Sequence, residues 1–312
     1  MQIRKANSGD LPSIVDLLKT SLGESLIPKS EELWNWKHIA NPFGASPVLV
    51  AEDGDMICGV RVFLRWEFRQ GKQLFNVCRA VDTAIHPDHQ GKGLFKNLTL
   101  SLIDELKEEG VDLIYNTPNS ASAPGYMKMG WENWGKLPLK IHFNLSLGKS
   151  GNLSHSSHWS GIASLIDKIE KLYFDSHSIR TNLVSGYLQW RYAACPLFPY
   201  YFISDGNTHL LIYRIKEGKI GRELRIVDFF QLPGFGENEK KQLNSRLKTV
   251  EKNECVRFTS FSGLQYHNDS PIEMGLMPVM SIGPLVTLRR VSLSDDLLTK
   301  AWAWSLGDLE VF

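Results

Sequence analysis

Apolar residues in the first half of the chain recur either at helical spacing or in long strand-like runs. Residues 2–5 read as a short strand, and Asp10 then precedes Leu11, Ile14, Val15, Leu17 and Leu18, a series that predicts a helix capped by that aspartate. Ser30-Glu31-Glu32-Leu33 opens a second helix carrying Trp34 and Trp36, and Asn41-Pro42-Phe43-Gly44 ends it. Strands are predicted at Val48–Glu52, Met56–Phe68 and Gln73–Ile85, separated by Asp53-Gly54-Asp55 and Gln70-Gly71 turns. Helical spacing returns with Leu94, Leu98, Leu102, Ile103 and Leu106, and Gly110 stops that helix. A strand at Val111–Asn116, a short helix around Pro124–Met129 and strands around Trp131–Leu147 complete a unit of one domain length.

From Ser146 to Gly161 the composition shifts to Ser, Gly, Asn and His, which reads as a linker or long loop. His155 and His158 lie there with no thiol or carboxylate nearby, so a solvated loop is favoured over a metal site. The second half begins with a helix at Ile162–Tyr173. Strands follow near Tyr200–Ser204, His209–Lys216 and Leu224–Phe230, then a helix at Asn238–Lys252, then strands at Val256–Ser260 and Val279–Leu288. This order weakly echoes the first half. The fold class expected is α/β with an α+β mixed sheet, in three parts: domain 1–147, linker 148–161 and domain 162–312.

Composition narrows the class without naming a function. The chain has 312 residues, 43% hydrophobic and 22% charged, and 35 Lys+Arg against 34 Asp+Glu leave a formal net charge of +1. No basic run asks for nucleic acid or an anionic membrane surface. Cys58, Cys78, Cys195 and Cys255 are scattered without a C-x-x-C pair, which suits a reducing compartment and argues against a zinc or disulfide framework. Apolar runs fall short of a membrane span and no leader is visible, so a cytoplasmic location is expected.

The stretch VDTAIHPDHQGKGLFKNL, residues 81–98, carries the clearest chemistry. A strand enters a glycine turn that opens a helix, so several backbone N–H groups and the helix dipole converge on one point suited to a pyrophosphate. Gly91 and Gly93 allow close approach, and Lys92 can add charge at the rim. The spacing is neither that of a Walker A loop nor that of a Rossmann G-x-G-x-x-G turn.

This stretch resembles the acetyl-CoA loop of the GCN5-related N-acetyltransferases (GNAT), Gln/Arg-x-x-Gly-x-Gly/Ala, with Gln90, Gly93 and Phe95 in the three places and Phe95 departing from the usual small residue. A second locus, NSASAPGYMKMGW, is similar to the family's Asn, Tyr, Gly and aromatic pattern through Asn119, Tyr126, Lys128, Gly130 and Trp131. The segments YLQWRY (187–192) and WAWSLGDLEVF (302–312) resemble pieces of long two-part acetyltransferases encoded among bacterial cell-surface polysaccharide genes. No Gln/Arg-x-x-Gly loop lies between Asp228 and Glu239, so the second half is expected to be a degenerate copy that has lost cofactor binding and shapes the acceptor site.

The resemblance implies an N-acetyltransferase that moves an acetyl group from acetyl-CoA, as cosubstrate, to a primary amine by direct attack on the thioester, without a metal. Backbone at Thr83 and Ile85 would pair with the pantetheine, and Gln90, Gly91, Lys92, Gly93, Leu94 and Phe95 would surround the pyrophosphate. Asn119 would orient the pantetheine or the carbonyl, and Tyr126 is the candidate acid for the departing sulfur. Asp82 is the candidate base: it is the acidic residue in an otherwise apolar strand, and burial is expected to raise its pKa towards neutrality. Strand alternation places Asp82 on the face opposite Thr83 and Ile85 unless a bulge intervenes, so water, Asp308, Glu310 or the terminal carboxylate of Phe312 stay open as bases.

The partner expected is a small-molecule amine, and the likeness to polysaccharide-locus enzymes suggests an amino sugar. Trp34, Trp36 and Phe43 are either an aromatic wall for that sugar or, more simply, core. Arg79 and His86 could meet an anionic substrate. Arg191 either binds a substrate anion or stacks in an interdomain contact. Two other readings stay open: an aminoacyl-tRNA-dependent transferase of the peptidoglycan-bridge type, which the near-neutral charge disfavours, and a non-catalytic binding module on the same fold.

Overall fold

The computed structural model describes residues 1–23, 27–144, 157–172, 177–263, 270–275, 277–293 and 298–309. Glu310 and Phe312, His155 and most of the expected linker lie outside the described residues. By internal contacts the chain forms two units, Met1–Gly135 with Leu285–Lys300, and Lys136–Pro284 with Ala301–Val311. Two segments thus fall outside the boundaries expected from sequence. Composition marks linkers, but it does not say which sheet edge will take a given strand.

The first unit runs β1 (Gln2–Lys5), α1 (Leu11–Leu22), α2 (Glu31–Trp34), a π-helical turn (Asn35–Ile39), β2 (Val48–Asp53), β3 (Met56–Gln70) and β4 (Gln73–Ile85). It continues with α3 (Leu94–Glu108), β5 (Leu113–Asn116), α4 (Ala123–Lys128) and β6 (Glu132–Lys136). Asp10 is the N-cap residue of α1, but its side chain makes no capping bond to that helix: it accepts from Asn7 N–H, while Asn7 Oδ1 accepts from Gly9 N–H and caps the 3-10 turn Ser8–Asp10 that leads into α1. Ser30 caps α2 as expected, accepting from Leu33 N–H.

Strands β1 to β4 pair antiparallel in sequence, and β5 lies parallel to β4, the crossover being α3. Helix α3 buries Leu98, Leu102 and Leu106 completely against one sheet face, each contributing about 2 kcal/mol of apolar burial. Helix α1 covers the other face with Ile14, Leu17 and Leu18, joined by Trp34. Trp34 and Trp36 are therefore core and not a wall for a sugar.

The second unit holds β7 (Leu139–Phe143), α5 (Ala163–Leu172), the two-residue β8 (Arg180–Thr181), a π-helical turn (Gln189–Ala193), β9 (Tyr201–Ser204), β10 (His209–Gly218) and β11 (Gly221–Gln231). Then come α6 (Glu237–Asn253), β12 (Phe258–Ser262) and α7 (Leu306–Leu309). Its sheet order is β7-β12-β11-β10-β9, with β11 and β12 parallel across α6. The remaining strand, β13 (Leu285–Arg290), pairs antiparallel with β5 in the first unit, whereas β7 pairs antiparallel with β12 in the second.

The halves share more than strand order. Trp36-Lys37-His38-Ile39-Ala40-Asn41-Pro42 and Trp190-Arg191-Tyr192-Ala193-Ala194-Cys195-Pro196 follow one pattern, and both form five-residue π-helical turns. Each turn closes alike, Ala40 N–H donating to Asn35 O at 2.8 Å and Ala194 N–H to Gln189 O at 2.9 Å. In both, the residue after the buried base bonds a strand aspartate beside a register shift: His38 to Asp82 on β4, and Tyr192 to Asp228 on β11. Arg191 is buried inside the second unit, donating from Nε to Gly307 O at 2.9 Å and stacking on Tyr192 and Tyr200, which replaces the interdomain stacking expected of it.

Candidate active site

Strand β5 accompanies β4 only from Val77 to Arg79, and β4 then continues to Ile85 with no strand on that edge among the described residues. The two strands part, and the opening is a cleft of about 850 Å³. Its walls are Ala80–Ile85 of β4, the turn at Gln90, Gly91 and Gly93, the start of α3, and Asn116 to Tyr126 around α4. Backbone on an unpaired strand edge can bind an extended amide chain as an added strand would.

The glycine turn is built as its composition requires. Gly91 has φ +74° and Gly93 φ +77°, left-handed conformations that disfavour any side chain. Gly93 is the N-cap of α3 and no side chain caps the first turn, so its leading N–H groups have no side-chain acceptor, and Gly93 to Lys96 line the cleft with the helix dipole behind them. Gln90 turns back to donate from Nε2 to Ile85 O at 3.2 Å, closing the loop on the strand end. These features fit a pyrophosphate-bearing ligand. Leu94 is 2% exposed and offers only backbone, while Lys92 does not line the cleft.

Phe95 points inward, not towards the turn. Its ring packs edge-on to Tyr126 with centroids 5.4 Å apart, and its edge would stand 3.2 Å from a Cβ at Gly125, so the missing side chain at Gly125 admits the ring. Asn119 lines the cleft, but its Oδ1 accepts from Ala121 N–H (3.1 Å) and Ser122 N–H (2.9 Å), ordering the entry to α4. Any contact with a ligand must come from its Nδ2.

Tyr126, on α4, reaches the cleft from a pocket formed by Phe95 and Trp131 and is 5% exposed. Its Oη accepts a hydrogen bond from Arg61 Nη1 at 2.8 Å. Arg61 went unnoticed in the sequence reading, although the signal was there: it is the charged residue in the run Ile57–Leu64. Thr83 Oγ1 also accepts from Arg61 Nη1, so Thr83 and Tyr126 meet through one guanidinium group.

Asp82 requires a correction. A bulge does shift the register: Val60 pairs with Ala84 and Val62 with Val81, and Asp82 has φ +39°. The bulge turns the Asp82 carboxylate to the α1 face, where Lys37 Nζ lies 2.6 Å and His38 Nε2 2.9 Å from Oδ2. Burial alone would raise this carboxyl. The Lys37 ammonium and the His38 hydrogen bond outweigh it and hold the group well below the usual carboxylate range. A carboxylate so stabilised is a poor base, contrary to the expected rise towards neutrality. Burial lowers the pKa of His38, so neutral His38 donates to Asp82 and its Nδ1 accepts from Ser46 Oγ at 3.0 Å.

The other candidates are placed as follows. Arg79 is 4% exposed and donates to Thr117 Oγ1 at 3.0 Å, and His86 Nδ1 accepts from Asp88 N–H. Asp308 lies in the second unit, buried with Thr181 and Ser305 as partners. No cluster of metal-ligating side chains occurs among the described residues.

A mixed α/β unit with parted parallel strands, a left-handed glycine turn and a buried phenol at their junction defines an acyltransferase-like site. Residues 2–134 match the acetyltransferase (GNAT) domain family. The chain is similar to the L-amino acid N-acyltransferase MnaT of Escherichia coli K12, 26% identical over 151 residues that cover 44% of this chain and 83% of that protein. It is similar also to the L-methionine sulfoximine/L-methionine sulfone acetyltransferase of Salmonella typhimurium LT2, 25% identical over 44% of this chain and 84% of that one. A GCN5-related N-acetyltransferase structure from Anabaena variabilis superposes over 93% of this chain and 72% of its own, with a TM-score of 0.66 and 15% identity. The family match and the named relatives thus identify an N-acetyltransferase, a transferase whose fold implies an acyl-CoA cosubstrate. Among the described residues no helix is long and apolar enough to cross a membrane.

Proposed function

We propose that this protein transfers an acetyl group from acetyl-CoA to the primary amine of a small acceptor, and that the reaction takes place in the cleft between β4 and β5. The observation that carries the reading is the convergence on one cleft of an unpaired strand edge, a left-handed glycine turn at a helix N-terminus and the Tyr126 phenol. In this reading β4 from Ala80 to Ile85 holds the pantetheine amides, and the turn from Gln90 to Gly93 with the first N–H groups of α3 binds the pyrophosphate.

The amine nitrogen attacks the thioester carbonyl carbon, forming a C–N bond and a tetrahedral oxyanion. The C–S bond then breaks, and the sulfur takes the phenolic proton of Tyr126. The proton released by the amine passes to water and restores the phenol, so the balance is acetyl-CoA plus amine to N-acetyl product plus CoA thiol. Water is assigned the base role because Lys37 and His38 hold the Asp82 carboxyl well below the usual carboxylate range, which leaves it little affinity for a proton.

Two acceptor classes have support. The names of the two similar proteins point to amino acids and their sulfone or sulfoximine analogues, and the likeness of residues 187–192 and 302–312 to polysaccharide-locus enzymes points to an amino sugar. The second unit is proposed to be a copy of the same topology without the cofactor turn, assigned to acceptor selection. Its support is the shared order of antiparallel strands, helix and parallel strand, and the repeated π-helical turn.

The test is release of CoA thiol from acetyl-CoA in the presence of amino sugars and L-amino acids, with mass analysis of the amine. The proposal expects amine-dependent thiol release, an acceptor heavier by one acetyl group, and loss of both in Gly93→Trp. Thiol release that is equal with and without every amine would overturn it.

A further inference from the structure

Arg61 is fully buried on β3, with 0% exposure, and faces no carboxylate among its hydrogen-bond partners. A buried guanidinium without an acidic partner is costly and calls for a reason in the fold or in the chemistry. Its Cζ lies over aromatic rings, 4.3 Å from the centroid of Phe63, 5.4 Å from that of Tyr126 and 5.9 Å from that of Phe95. Nη1 supplies both of its hydrogens to hydroxyl oxygens, those of Thr83 and Tyr126, while Nε and Nη2 have no hydrogen-bond partner among the described residues.

A guanidinium only donates. The oxygen of Tyr126 must therefore accept along the Arg61 direction, and its own hydrogen must point elsewhere. Tyr126 has no other hydrogen-bond partner among the described residues, and its residue lines the cleft. The same Nη1 ties Thr83, on the strand edge proposed to hold the pantetheine, to the phenol. We propose that Arg61 is a positioning residue that fixes the direction of the Tyr126 hydroxyl, so that its proton is presented to the cleft and its distance from the β4 edge is set. This rests on the reading of Tyr126 as the acid for the departing sulfur. Arg61 does not line the cleft, and its proposed effect on the reaction runs through the phenol.

The test is a double-mutant cycle on steady-state acetyl transfer, using acetyl-CoA and the best amine from the acceptor screen, with CoA affinity measured by calorimetry for every variant. Arg61→Met is expected to lower kcat by about 30-fold, with the CoA Kd changed less than about threefold, and Arg61→Lys to keep kcat within about fivefold of wild type. In the Tyr126→Phe background Arg61→Met is expected to cause no further loss, since the hydroxyl it orients is gone. Multiplying losses in the double variant, with Tyr126→Phe itself slow, would overturn the role of Arg61 and leave Tyr126 as the acid. A Tyr126→Phe enzyme with wild-type kcat would overturn the phenol reading and the positioning role together. Should Arg61→Met fail to fold, the cycle is run with Arg61→Lys, whose smaller kcat loss must vanish in the Tyr126→Phe background; its persistence there overturns the proposal.

Discussion

The buried pair of Lys37 and Asp82 gives a sharp test of the electrostatics beside the cleft. Lys37 is 2% exposed and its Nζ lies 2.6 Å from Asp82 Oδ2, with His38 Nε2 at 2.9 Å on the same oxygen. Lys37→Met removes the ammonium and leaves the carboxylate buried with a neutral imidazole as donor. Breaking a buried pair from one side costs about 3–5 kcal/mol, and the lower end applies here because Asp82 retains His38 and some exposure. The sign with pH follows from the depressed Asp82 pKa: its stabilisation is present above the unfolded carboxylate value and is lost as pH falls towards the folded one. In Lys37→Met burial dominates and the carboxyl shifts upward, so the folded variant takes up a proton as pH falls and the deficit narrows. Urea unfolding followed by Trp fluorescence at pH 7 and pH 4 measures this, with Trp34 packed 4.4 Å from the His38 ring as a local probe. Adding Asp82→Asn to Lys37→Met should recover most of the loss at pH 7. A deficit under about 1 kcal/mol at pH 7, or one that is unchanged at pH 4, would refute the reasoning.

Other outcomes follow from the same geometry. Tyr126→Phe should lower kcat by about 100-fold while leaving acetyl-CoA affinity within a few-fold, measured by thiol release and calorimetry. Gly93→Ala adds a Cβ at φ +77° with nothing within 4 Å, so it should cost about 1 kcal/mol of stability through backbone strain alone and weaken CoA binding by about tenfold or more. In the second unit, burial and the nearby Asp308 carboxyl push Asp228 up to about 7. The folded state therefore binds more protons than the unfolded state between about pH 4 and pH 7, and stability should fall as pH rises through that window. Thermal melts should show that slope in wild type and a shallower one in Asp228→Asn, with Asp308, Glu170 and Glu251, also raised by burial, supplying what remains.

Much of the fold was legible because strand and helix periods are local properties. The Met56 and Gln73 strand starts, the Gly91 and Gly93 turn and the α3 apolar series all stand in the structure where the pattern put them. Pairing is not local: β13 closes on β5, and β7 on β12, although composition assigned each segment to the other half. The fate of Asp82 was hidden for a related reason. Its apolar neighbours in sequence suggested a raised pKa, while the groups that decide it, Lys37 and His38, sit 44 or 45 positions away on a π-helical turn. Periodicity also masked that turn, since a five-residue turn reads as part of an ordinary amphipathic helix, although comparing Trp36–Pro42 with Trp190–Pro196 shows that the motif is repeated. Arg61 could have been suspected as a charge inside an apolar strand, but its partner on α4 could not.

The most direct test of the account is a calorimetric titration of acetyl-CoA into wild type, Gln90→Ala and Gly93→Trp. The account predicts micromolar binding to wild type that is weakened in Gln90→Ala and abolished in Gly93→Trp, with all three variants folded by circular dichroism. Absence of heat and of any thermal shift for wild type at millimolar acetyl-CoA, or equal binding by Gly93→Trp, would contradict the assignment of the cleft between β4 and β5.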